Sequence, residues 1–119
     1  MQNTAETSTL ETGKQFAQAL VTGDYAAAHT YLSQQTQAAC SPADLAQHYT
    51  NMTEYGSGPG QLDGHVQYED MADWATRQNG DLGWVYISIS GEDFLEAVTV
   101  IVSDEQGSPK IRQIEWGRP

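Results

Sequence analysis

The run Gly56-Ser57-Gly58-Pro59-Gly60 divides this chain into two halves with different hydrophobic periods. A helix cannot pass through it, because glycine is costly in a helix interior and proline lacks the backbone donor. Before the run, apolar residues recur at spacings of three and four. After it, stretches rich in valine, isoleucine and aromatic residues are separated by turn residues. The division predicts an α+β domain, with three N-terminal helices packed on an antiparallel sheet.

Residues 1–8 are polar and aperiodic and read as a flexible tail, which leaves 9–119 as a single domain. Ser8 and Glu11 have the spacing of a capping box, so a first helix is expected from there, with Leu10, Phe16, Ala17 and Leu20 towards one side and Gly23 as its stop. Gly13 inside it costs about 1 kcal/mol relative to alanine. Asp24 suits the N-cap of a second helix carrying Tyr25, Ala28 and Leu32 and ending near Ser33. Ser41-Pro42-Ala43-Asp44 is the clearest start: a capping hydroxyl, proline at the first helical position, and an acid at the favourable end of the dipole. Leu45, Tyr49 and Met52 mark that third helix's buried stripe.

From 61 to 81 the pattern is mixed. Residues 66–68 suit a short strand, Met71 with Trp74 or Ala75 suits one helical turn, and Asn79-Gly80-Asp81 is a turn. Strands are expected at 84–90, 94–102 and 111–116, joined by short connections and therefore forming an antiparallel meander. The middle strand is apolar on both sides, with Phe94, Val98, Val100 and Val102 on one and Leu95, Ala97 and Ile101 on the other. Helices can cover one face. A homodimer formed through the sheet is the expectation for the second, with the back of a more curved core as the alternative.

A chain of 119 residues can bury a core without a metal or disulfides. Sixteen acidic against five basic residues give a formal charge of −11, which repels nucleic acid and anionic lipid and keeps the surface solvated. Cys40 is the single cysteine, so no internal disulfide or cysteine metal cluster can form, and a reducing, cytoplasmic setting fits. No stretch approaches the roughly 18 to 20 apolar residues of a membrane span, and residues 1–9 lack an apolar signal core. Asn51-Met52-Thr53 matches the glycosylation sequon but falls inside an expected helix.

The segment Phe16-Ala17-Gln18-Ala19-Leu20-Val21-Thr22-Gly23-Asp24-Tyr25-Ala26-Ala27-Ala28, the later Gly83-Trp84-Val85-Tyr86-Ile87-Ser88-Ile89, and the closing Ile114-Glu115-Trp116-Gly117-Arg118-Pro119 carry a resemblance. Together with the helix order they make residues 9–117 similar to the nuclear transport factor 2-like (cystatin-like) superfamily, including bacterial members of unknown function. The resemblance implies a curved sheet wrapped around a long helix, a cone with a pocket between them. Isomerases, polyketide cyclases, dehydratases and non-catalytic binders share that fold, so it does not select a chemistry.

Residues with the chemistry to line such a pocket are His48, Tyr49, Trp74, Trp84, Tyr86, Glu96, Arg112 and Trp116. The aromatic members combine large area with polar tips and suit a flat apolar ligand, or equally core and dimer packing. Tyr49, Tyr55, Tyr68 and Tyr86 are possible hydrogen-bond donors, and Glu96, Asp73 and Glu115 possible bases, for chemistry of the ketosteroid isomerase kind. Of His29, His48 and His65, His48 is the best base because it neighbours Tyr49; no His-x3-His pair suggests a metal. Arg112 is expected to pair with Glu96 or Glu115 on the sheet. Cys40 precedes a helix start without a catalytic histidine motif, and Gly56 to Gly60 lacks the lysine of a phosphate loop. The expectation is a cofactor-free, non-catalytic domain binding a small molecule, peptide or protein. An isomerase, cyclase or dehydratase is the alternative, and an acidic immunity-type protein with a basic partner the second.

Overall fold

A computed structural model describes residues 4–117. Four helices, α1 (Thr4–Thr22), α2 (Tyr25–Thr30), α3 (Gln34–Ala39) and α4 (Pro42–Thr53), are followed by four strands, β1 (Gln61–Glu69), β2 (Asp81–Ser90), β3 (Leu95–Glu105) and β4 (Ser108–Trp116). The strands form one curved antiparallel sheet in the order β1-β2-β3-β4. The molecule is therefore α+β, with one more helix and one longer first strand than the sequence predicts.

Each difference has a local cause. α1 already runs from Thr4, so Ser8 is an interior residue whose carbonyl accepts from the Thr12 hydroxyl at 2.8 Å, not a cap; residues 1–3 of the expected tail lie outside the described residues. α2 ends at Thr30, and Leu32 is buried by a bridge to Ile111 of β4 instead of by a helical stripe. α3 is capped by the Ser33 hydroxyl on the Thr36 N–H but buries no side chain, so no apolar stripe announces it. α4 begins where expected: Ser41 and Asp44 exchange both capping-box hydrogen bonds, with Pro42 at the start.

The core lies between the helices and one face of the sheet. Phe16, Leu20, Leu45 and Tyr49 from the helices meet Val85, Ile87, Ile89, Val98, Val100, Val102 and Ile111 from the strands. Gly13 explains its own cost: a Cβ there would fall 3.0 Å from Val85 Cγ1, so the missing side chain lets α1 lie close on β2. The β3–β4 hairpin turns through Gln106 (φ 53°) and Gly107 (φ 88°), the paired positive angles of a two-residue turn that follows the sheet twist. The free side of β4 is partly occupied, since Ser33 N–H donates to the Ile111 carbonyl and Ile111 N–H to that of Tyr31.

Candidate functional site

Alternation along the strands places Trp84, Tyr86 and Ser88 opposite the core face, with Ala97, Thr99 and Ile101 of β3 beside them. The register builds two rows across this outer face. One reads Gln67, Tyr86, Thr99, Glu115 and the next Glu69, Trp84, Ile101, Gln113. The β1–β2 connection returns over the second row. Met71, buried and held at φ 64°, is followed by turns at Trp74 and Arg77, and the Trp74 ring meets Trp84 at 5.9 Å and 56°. Trp84 in turn lies 6.3 Å from Tyr86, and His65 meets Tyr86 edge-on at 5.9 Å. A continuous aromatic line, Trp74-Trp84-Tyr86-His65, thus runs along β2.

Between this line and β4 lies a cleft of about 470 Å³, walled by Trp74, Thr76, Gln78 and Trp84, floored by Thr99 and Ile101, and rimmed by Arg112, Gln113 and Glu115. Ile101 and Thr99 are buried although they face away from the core, so the cover sought for the second face comes partly from the chain's own 70–80 connection.

Arg112 does not reach Glu96 or Glu115. A bulge between Ile101 and Val102 sets Gln113 opposite the first and Ile111 opposite the second, so Arg112 is the extra residue. Its Nε and Nη2 donate to the two oxygens of Asp81, each at 2.6 Å, in the bidentate geometry that arginine favours. Asp81 is buried and also accepts from the Gln78 N–H at 2.8 Å. Burial pushes its carboxyl upward, but the hydrogen bonds from Arg112 and Gln78, the Arg112 charge and Ser103 outweigh this and hold it below the ordinary carboxylate value. Asp81 is a site residue that sequence reasoning passed over, since it reads there only as part of a turn.

The remaining candidates sit elsewhere. His48 is exposed on α4 and stacks on Trp116 at 5.2 Å and 11°. Tyr49 is buried in the core, its hydroxyl without a hydrogen-bond partner among the described residues, and burial raises its pKa, with the Tyr25 charge adding to the effect. Glu96 pairs with Ile89 on the core side of β3, five residues and so about 17 Å along the strand from Ile101. Of the eight residues, Trp74, Trp84 and Tyr86 belong to the outer face and His48, Tyr49, Glu96 and Trp116 to the helix side, while Arg112 lines both the outer cleft and a second one of about 440 Å³ that Trp116 shares.

In the β1 bulge Asp63 accepts from the Ser88 hydroxyl at 2.7 Å and from the His65 N–H at 3.0 Å, which lowers its pKa and fixes where His65 sits. Cys40 is partly buried, and burial together with the Asp44 charge raises its thiol pKa, the reverse of an activated nucleophile. Among the described residues no three His, Cys, Asp or Glu side chains gather as a metal-binding group, and no helix is long and apolar enough to cross a membrane.

Comparison with known protein families, with curated proteins and with solved structures finds no match to this chain.

Proposed function

We propose that this chain is a non-catalytic binding domain of the nuclear transport factor 2-like type that takes a small molecule on the outer face of its sheet, opposite the helix-covered face where the resemblance implies a pocket and where the core is packed. The observation that carries the reading is the aromatic line Trp74-Trp84-Tyr86-His65 bordering an open cleft whose remaining lining is the Ile101 side chain, amides, hydroxyls, the Glu115 carboxylate and the Arg112 guanidinium already bound to Asp81. The acid-base alternative needs a tyrosine or histidine within reach of a desolvated carboxylate. Among the described residues the buried tyrosine, Tyr49, has a hydroxyl without a partner, and the buried carboxylate, Asp81, is held by Arg112. Neither pairing supplies a base beside a donor.

The three tryptophan indole N–H signals offer a direct test by NMR. A panel of small aromatic, polyol and amine probes should shift the Trp74 and Trp84 signals, leave Trp116 in place, and be recovered chemically unchanged. Conversion of a probe, or shifts confined to Trp116, would overturn the reading. A homodimer through the same face is a second reading, favoured by the half-buried state of Trp74, Trp84 and Tyr86 in a single chain.

A further inference from the structure

The charge pattern around Trp84 goes further and names a ligand class for the binding surface proposed above, on which it rests. Trp84 walls two clefts, the one of about 470 Å³ with Glu115 at its rim and another of about 260 Å³ lined by Gln67, Tyr68 and Glu69. Glu69 is Trp84's direct neighbour across the β1–β2 pair, and Glu115 stands beyond Thr99 in the adjoining row. Among the described residues neither carboxylate makes an ion pair. Among the described residues the larger cleft has a single cationic lining residue, Arg112, whose Nε and Nη2 are already bound to Asp81.

An anionic ligand in the larger cleft would therefore meet the Glu115 carboxylate, a guanidinium already bound to Asp81 and a chain of formal charge −11. A small inorganic cation wants several converging oxygen ligands, and the described acids do not gather in that way. A large, weakly hydrated organic cation has the opposite needs: aromatic faces for its alkylated head and one carboxylate nearby for its charge. The field of a strongly acidic protein also raises the local concentration of such cations. We infer that the cleft between Trp74, Trp84 and β4 binds an alkylated ammonium group, with Glu115 supplying the charge complement.

Choline and its uncharged carbon isostere 3,3-dimethylbutan-1-ol separate charge from shape, because the two differ in little but the ammonium. Followed by tryptophan fluorescence on the full chain at low ionic strength, choline should bind at least about fivefold more tightly than the alcohol, in line with typical cation-π strengths. Its affinity should fall as salt is added. Glu115→Gln, an exposed and isosteric change, should weaken choline severalfold while leaving the alcohol unaffected, and Trp84→Phe should retain more choline affinity than Trp84→Leu. Equal affinity for the two probes, or a preference for the alcohol or for a neutral disaccharide run alongside, would overturn the cationic ligand while leaving the binding surface standing. Binding of neither probe would also overturn it, and the wider NMR panel then decides the surface separately.

Discussion

Tyr49 and Arg112 show how differently two polar side chains of one small domain are buried. The Tyr49 hydroxyl lies beside Gly60, where an added Cβ would come within 2.5 Å of it, and near Ile89 and Phe94. An unpartnered buried hydroxyl is a cost, so Tyr49→Phe should raise stability by about 1 kcal/mol in urea unfolding. Arg112 is the reverse case, because removing it strands the Asp81 carboxylate. Arg112→Met should cost about 3 kcal/mol at neutral pH. The sign with pH follows from Asp81 being held below its ordinary value. Its contribution is complete above the unfolded carboxyl value, about 3.9, and is lost as pH falls through the lower folded value. The stability gap between wild type and Arg112→Met should therefore narrow in acid, and a gap that widens below pH 4 would show that Asp81 is not the group left behind.

At the scale of elements, α1 and β2 depend on a close approach that the local sequence opposes. Gly13 lowers helix propensity, yet any side chain there meets Val85 and Ile87. Gly13→Ala should therefore destabilise the protein by about 1 to 3 kcal/mol despite the propensity gain. Gly13→Ala combined with Val85→Ala should recover part of that loss, and strictly additive effects would remove the contact as the cause. The elements that were legible in the sequence are those with a strong one-body signal. The Ser41-Pro42-Ala43-Asp44 cap and the alternating run Trp84 to Ser90 fall where their chemistry puts them. α3 and the full length of β1 were not legible. α3 buries no side chain, and the bulge from Leu62 to Val66 interrupts the alternation that would mark β1.

For the whole molecule, the formal charge of −11 makes salt the variable that separates the uses of the outer face. Two copies meeting there repel each other, so a homodimer through the sheet should strengthen as ionic strength rises, whereas capture of an organic cation should weaken. Sedimentation across a salt series should give the mass of one chain at low ionic strength. A doubled mass at high salt, accompanied by loss of probe signals at Trp74 and Trp84, would assign the face to the dimer.

Composition, the Gly56 to Gly60 break and the two hydrophobic periods determined the α+β class, the antiparallel meander and the need to cover both faces of its middle strand. Those are properties of neighbours along the chain, and period and turn chemistry report them directly. Which aromatics meet, which acid holds Arg112, and what covers Ile101 were decided only by the fold. The sheet itself separates Trp84 from Trp116, and a single bulge turns Arg112 away from Glu115 towards an aspartate 31 positions earlier. Strand register and the path of one connection set those distances, and neither leaves a periodic trace in the order of residues.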